Sequence, residues 1–392
     1  MGESKLRVLA PHAIDEMLLK AVERGELPGV VAAVTNSRGT TYAGAFGYQD
    51  LDARVPMTSG TIFNIASMTK AVTAVAVMQL VERGVLNLDA PAGSLLPALG
   101  RVQVFDGFDR ANKPILRAPT TPVTLRHLLT HTSGYSYDLW NDEHARYVAA
   151  MRAQGIERFD APLVFDPGTR WQYSTGYDWA GRLVEAVTAQ RLEAFVRENI
   201  FLPLAMNASW TVPAAHHAKV ARLHHRGPDA SFTVDPKAPP EHVEFENGGG
   251  GIHTTAEDYL KFIRMILNRG VGNDHRVLDE PTLAELTRAD AAPNNDVTPL
   301  ITTNRTKSNP GEFFPGVPKR HSLGFVVNQA EAPTGRSANS LAWAGLFNTY
   351  YWIDPTREIG GVFMTQILPF LDDRALPLFL DFETAVYRAA QD

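Results

Sequence analysis

The spacing of apolar residues changes character along the chain, and those changes mark out its elements. Near the N-terminus Ile14, Leu18, Leu19 and Val22 recur at helical spacing, which predicts an amphipathic helix. Residues 30–35 and 40–46 are β-rich runs on either side of Asn36-Ser37-Arg38-Gly39, a hairpin signal. Residues 68–83 then predict a helix stopped by Gly84. Between Ala71 and Val81 only Thr73 and Gln79 are polar, and a helix apolar nearly all round is a buried one. The middle of the chain has helical periods near 124–131, 142–154, 176–200, 255–269 and 281–289, separated by loops rich in Pro and Gly, with a small hairpin over 102–108 and 114–118. Strand character returns at 323–327, 341–353 and 359–366, with Asp354-Pro355-Thr356-Arg357 as the turn between the last two. A final helix is expected over 372–390.

The order strands, helices, strands predicts an α+β fold. One antiparallel sheet is built from both chain ends and flanked by the terminal helices, with a mainly helical domain inserted. The expected division is a discontinuous sheet domain, 1–84 with 311–392, around an inserted domain, 85–310. The buried helix that begins beside Ser67 would lie at the seam. Composition narrows the function classes. The 392 residues are 44% hydrophobic and 20% charged, enough for a normal core. A net charge of -6 leaves no basic footprint for nucleic acid. The count of Cys is 0, which removes disulfides, thiolate nucleophiles and Cys-ligated zinc together. The opening residues lack the apolar core of a signal peptide, and no apolar run reaches the ~18 residues a spanning helix needs. The expectation is a soluble, cytoplasmic protein with no nucleic-acid or membrane partner; the composition leaves its oligomeric state open.

Three groups of residues carry candidate chemistry. Ser67-Met68-Thr69-Lys70 places a lysine three residues after a serine, on the same helix face. A serine hydroxyl needs a base beside it, and burial can supply one by disfavouring the charged form of lysine. Alone, the pattern is weak, because Ser and Lys are common, and it reads more readily as a capping Ser followed by a helix-face Lys. Tyr173 follows a Pro-Gly turn in Asp166-Pro167-Gly168-Thr169-Arg170-Trp171-Gln172-Tyr173-Ser174, where it is either a proton relay or a buried aromatic. Trp343-Ala344-Gly345-Leu346 puts a glycine inside a strand, a sign of close approach by backbone or ligand.

Other patterns weigh less. His127 and His131 stand four apart, but no Glu lies between them to act as a base, so they are read as structural. The pairs His216-His217 and His224-His225 are read as solvent-facing. Asn247-Gly248-Gly249-Gly250-Gly251 has no Gly-Lys-Ser/Thr after it and reads as a tight turn ahead of an N-cap at Thr254-Thr255. No Gly-x-Ser-x-Gly occurs, which argues against an α/β-hydrolase nucleophile elbow.

Taken jointly, Ser-x-x-Lys, Pro-Gly-x-x-Trp-x-Tyr-Ser and Trp-x-Gly resemble the serine β-lactamase and penicillin-recognising superfamily. Within it they are similar to the family VIII carboxylesterases, the esterase branch related to class C β-lactamases. Residues 61–70, Leu125-Arg126-His127-Leu128-Leu129-Thr130-His131-Thr132-Ser133-Gly134 and the run Asp178, Gly181, Arg182, Leu183, Val184, Glu185 agree with that resemblance. It implies a β-lactamase-like fold, with Ser67 as nucleophile and Lys70 and Tyr173 as proton relays. The implied oxyanion hole is the backbone N–H groups of Ser67 and Leu346. Tyr137 and Trp343 would line the substrate pocket beside Gly345, and no cofactor or metal is implied.

The β-lactamases carry Lys-Thr-Gly where this chain has Trp343-Ala344-Gly345, and Tyr-x-Asn where it has Tyr173-Ser174-Thr175. Both departures point away from β-lactam turnover. The expected function is therefore two-step hydrolysis of small-molecule, short-chain carboxylic esters through an acyl-enzyme, with room for weak β-lactam hydrolysis because the acyl-enzyme chemistry is shared. The alternatives are a β-lactamase or D-alanyl peptidase, or an acyltransferase that passes the same acyl group to an alcohol.

Overall fold

The computed structural model describes residues 11–152, 155 and 159–390. Its organising element is an eight-stranded sheet in the order Lys319–His321, Val326–Asn328, Leu341–Gly345, Thr349–Asp354, Ile359–Met364, Gly29–Asn36, Thr40–Asp50 and Val55–Pro56. Every neighbouring pair is antiparallel. The two chain ends meet at its centre, where Val31 is opposite Met364 and Asn36 opposite Ile359. The expected β-lactamase-like α+β fold is what forms.

Strand alternation sends side chains to two covered faces. On one face the terminal helices Pro11–Glu23 and Ala375–Ala389 pack; Phe379 stacks on Tyr350 with centroids 4.7 Å apart, and Tyr42 bonds Asp15. On the other face lies Ala256–Leu267, close enough that a Cβ on Gly360 would come within 2.4 Å of Ile263. Beyond this helix sits Thr69–Glu82, buried at every position from Thr69 to Leu80 and wrapped by Gly176–Thr188, Leu192–Val196 and Glu280–Thr287. A helix with no polar stripe has no side to offer water, which is why it became the centre of the helical region.

Several boundaries differ from the expectation, each for a local reason. The run 341–353 is two strands, not one. Leu346, Phe347 and Asn348 turn between them, with Asn348 at φ 57, and the chain doubles back so that Gly345 pairs Thr349. Both strands are almost wholly buried, so no alternation in the sequence betrayed the turn. The helix read over 176–200 stops at Ala189, in the left-handed region at φ 55. The helix over 142–154 spans Asp142–Met151; residues 153 and 154 lie outside the described residues. Leu19 is exposed on the first helix, where Ala21 is buried instead. Lys319–His321 is an edge strand absent from the expected set.

Candidate active site

The segment before the buried helix is held as a backbone fixture. Phe63–Asn64 pairs with His253–Thr254, and Ile65 N–H donates to Ile252 O at 2.9 Å. Ala66 sits at φ 43, uncommon for a residue with a side chain, and its N–H donates to Asn64 Oδ1 at 3.0 Å. Strain of this kind persists only where the surroundings over-determine it, and it gathers at functional sites. One 3-10 turn, Ala66–Met68, then hands Ser67 to the start of Thr69–Glu82, and Ser67 stays partly exposed at the end of a buried helix.

Lys70 is 2% exposed. Its Nζ donates to Ser67 Oγ at 3.0 Å, to Tyr137 OH at 3.2 Å and to Gly249 O at 2.7 Å. Three tyrosine rings surround it, with centroids at 4.9 Å (Tyr173), 5.4 Å (Tyr137) and 5.9 Å (Tyr177). Ring faces attract an ammonium, while burial opposes its charge. The lysine is thus dehydrated and aimed at the serine hydroxyl.

The three tyrosines are not equivalent. Tyr177 OH donates to Leu129 O at 2.9 Å and approaches Leu323 O at 2.8 Å, and burial pushes its pKa well up. It is a tie between segments and keeps its proton. Tyr173 OH instead accepts a hydrogen bond from Trp343 Nε1 at 3.2 Å. Trp343 was expected only as a wall of the pocket; its indole N–H addresses the tyrosine oxygen. Tyr137, expected in the acyl pocket, also turns its hydroxyl onto Lys70.

Gly345 and Leu346 close the site from the sheet side. A Cβ on Gly345 would lie 2.3 Å from Ile65 O and 2.2 Å from Thr349 Oγ1, so only glycine lets the strand end reach the serine turn. Among the described residues no protein acceptor takes the N–H of Leu346, and Ser67 lies in the first turn of a helix, where backbone N–H groups have no intrahelical partner. Backbone donors of this kind are what a developing oxyanion requires.

The histidines divide by geometry. His127 caps its own helix, with Nδ1 accepting from Thr124 N at 3.3 Å. His131 lies past the end of that helix at φ 58, so the two rings are not on one helical face. Its Nδ1 faces Ser174 Oγ at 3.0 Å, and its ring is 4.6 Å from His321 and 4.8 Å from Tyr173. Burial, reinforced by the nearby Lys70, lowers the pKa of both, His321 to about 4. Among the described residues no group of three His, Cys, Asp or Glu could hold a metal ion. Of the other pairs, His216 is exposed, but His224 is buried against Gln366 O, contrary to the solvent-facing reading. The glycine run is a turn as expected, and Thr255 caps the following helix by accepting from Asp258 N. It also does something the sequence did not disclose: it brings the Gly249 carbonyl to Lys70 and its N–H to Asp178.

The chain is similar to known proteins over nearly its whole length. The family model described as Beta-lactamase matches residues 14–385. The chain is similar to the monacolin J acid methylbutanoyltransferase of Aspergillus terreus, 30% identical over 95% of this chain and 94% of that protein. It is similar to the lovastatin esterase of Penicillium rubens, 29% identical over 96% of this chain and 98% of that protein. A solved structure of a variant of simvastatin synthase from Aspergillus terreus superposes with a TM-score of 0.84, at 29% identity, covering 96% of this chain and 94% of that one. Among the described residues no helix is long and apolar enough to cross a membrane.

Proposed function

The chain belongs to the Beta-lactamase family and is an enzyme of the serine hydrolase and acyltransferase superfamily, and from that premise we propose that it transfers an acyl group from an ester-type donor to an alcohol through an acyl-enzyme on Ser67. The observation that carries the reading is the contact of a buried lysine with a serine: Lys70 Nζ to Ser67 Oγ, 3.0 Å. Sequence motifs alone put hydrolysis first and transfer second. The relatives favour the reverse order, since one is named as a methylbutanoyltransferase. They do not single out the family VIII carboxylesterases.

In the first step Ser67 Oγ attacks the donor carbonyl carbon, and its proton passes to Lys70 or Tyr173. The carbonyl oxygen becomes an oxyanion facing the Ser67 and Leu346 N–H groups; losing one such donor costs about 2.7–4 kcal/mol in comparable sites. The tetrahedral carbon collapses, the C–O bond to the leaving group breaks, and the stored proton goes to that group. In the second step an alcohol enters, gives its proton to the same relay and attacks the acyl carbon, and Ser67 leaves with a proton returned. Water in place of the alcohol yields the free acid. Hydrolysis is therefore the same cycle with another acceptor, a second reading supported by the likeness to a lovastatin esterase.

The Trp343–Tyr173 bond bears on the β-lactamase alternative. Where the lactamases place a lysine, this chain has an indole whose single N–H is already directed at Tyr173, so it offers no cation to a lactam carboxylate. The test is a panel of p-nitrophenyl acyl esters, run with and without added alcohols. Release of p-nitrophenol with a new ester as a major product supports transfer. Free acid alone, whatever the alcohol, leaves an esterase. Cephalosporin turnover that matches the best ester contradicts both.

A further inference from the structure

Asp178 lies outside the Ser67, Lys70 and Tyr173 constellation, yet the backbone connects it to that constellation. The peptide between Gly248 and Gly249 is pinned at both ends. Gly248 O accepts from Thr73 Oγ1 at 2.7 Å, and Gly249 N–H donates to Asp178 Oδ1 at 2.8 Å. Thr73 stands one helical turn after Lys70, on the same face, and Asp178 on Gly176–Thr188; both are buried. Gly248 has no room for a side chain, since a Cβ would lie 2.2 Å from Tyr177 O. The next carbonyl, Gly249 O, accepts from Lys70 Nζ at 2.7 Å, a shorter bond than Lys70 makes to Ser67 at 3.0 Å or to Tyr137 at 3.2 Å. A Cβ on Gly249 would meet Asp178 Oδ1 at 2.9 Å, Tyr137 OH at 3.1 Å and Lys70 Nζ at 3.2 Å. Carboxylate, hydroxyl and ammonium therefore face one another across a single glycine.

We propose that Asp178 is a positioning residue for acyl transfer: it fixes the 248–251 loop through Gly249 N–H so that the Gly249 carbonyl orients Lys70 toward Ser67. The inference rests on the function proposed above. Lys70 has a flexible stem, and a hydrogen bond to Ser67 alone would not choose one rotamer. A carbonyl held by two buried helices does. The carboxylate acts a second way. A negative group within reach of Lys70 favours its protonated form, so Asp178 sets the pH at which the lysine can accept the serine proton.

The two effects separate on substitution. Asp178→Asn keeps an oxygen acceptor for Gly249 N–H and removes the charge; Asp178→Ala removes both. The measurement is the rate at which a fluorophosphonate labels Ser67 in the full chain, as a function of pH, with the thermal midpoint as a control for folding. Asp178→Ala is expected to label about 10²-fold more slowly, the cost of a displaced catalytic group. Asp178→Asn is expected to recover most of that rate, with its acid limb moved to lower pH because Lys70 loses its proton more readily. Thr73→Val, which removes the other pin, should slow labelling in the same direction, and it covers the case in which Asp178→Ala does not fold. Wild-type labelling rates in Asp178→Ala would overturn the proposal. So would Asn and Ala variants that are equally slow with the wild-type pH profile, since that is the signature of a structural residue. Failure of the wild-type protein to label at Ser67 overturns the proposed function itself.

Discussion

On one face of the sheet Tyr350 lies against Phe379, tilted 15° with centroids 4.7 Å apart, and Trp352 packs on Phe379 and Phe382. On the other face Trp343, whose cross-strand partner is Tyr351, turns its indole N–H onto Tyr173 beside a buried lysine. The residue types are the same on both sides. Their polar atoms are not used alike. Tyr350 OH satisfies itself within the fold, bonding Asn348 Oδ1 at 2.6 Å, and burial pushes its pKa well up. The hydroxyl of Tyr137 and the ring of Tyr173 meet Lys70 beside Ser67, at the partly exposed end of a helix. Aromatic burial on the first face contributes stability. On the second it removes water from around a charge, which costs stability and sets reactivity. Substitutions should therefore separate: one face is read in melting curves, the other in rates.

The largest effects are expected on the reactive face. Ser67→Ala should lower acyl transfer and ester cleavage by ~10⁴-fold or more with an unchanged thermal midpoint, and Lys70→Ala and Tyr173→Phe by about 10²–10⁴-fold each. Steady-state rates beside melting curves check this. A Tyr173→Phe variant that keeps over a tenth of the rate would make Tyr173 structural, with Tyr137 the remaining hydroxyl on Lys70. Phe379→Ala tests the other face. It should cost about 3–5 kcal/mol in chemical denaturation while the folded fraction still reacts at Ser67.

A smaller effect lies between the two. Trp343→Phe keeps a ring in place and removes the donor to Tyr173. A hydrogen bond to a group that becomes charged is worth about 1.5–3 kcal/mol, a rate loss of about 10–150-fold. The indole N–H favours the phenolate, so its removal raises the tyrosine pKa and should move the acid limb of kcat/KM to higher pH. An unmoved limb would show that the bond is mere packing.

The smallest effect concerns the histidines behind Tyr173. Burial lowers the pKa of His321 to about 4, from 6.5 for a histidine in the unfolded chain, and that of His131 falls as well. Between pH 6.5 and about 4 the unfolded chain binds more protons than the folded one. Stability therefore rises with pH through that window and is lost as the pH falls across it. The thermal midpoint should drop from pH 7 toward pH 4, less steeply in His321→Gln. Equal slopes in the two proteins would remove His321 from the account.

The sequence disclosed the fold because both chain ends carry strong strand runs and the 68–83 helix has no polar face. It disclosed Ser67 and Lys70 because their link is local, three residues on one helix. It disclosed Tyr173 only through motif resemblance, since its approach to Lys70 depends on how distant segments pack. What stayed hidden is contact across the fold. Nothing near Asp178 says that it will meet a glycine 71 residues later, and a glycine run in a sequence does not say which carbonyl it will present. The turn at 346–348 was lost for the opposite reason. Its flanks are so uniformly buried that the only local signal was Asn348, whose side chain ties the turn to Ile367 O and Pro369 O.

Acyl transfer requires an acyl group carried by Ser67 and surrendered to an alcohol. Mass spectrometry after mixing the protein with an activated acyl ester tests it directly. The predicted result is an acyl adduct on the peptide containing Ser67 that disappears faster when alcohol is added, with the matching ester formed. No adduct, an adduct on another residue, or decay at the same rate with and without alcohol would contradict it.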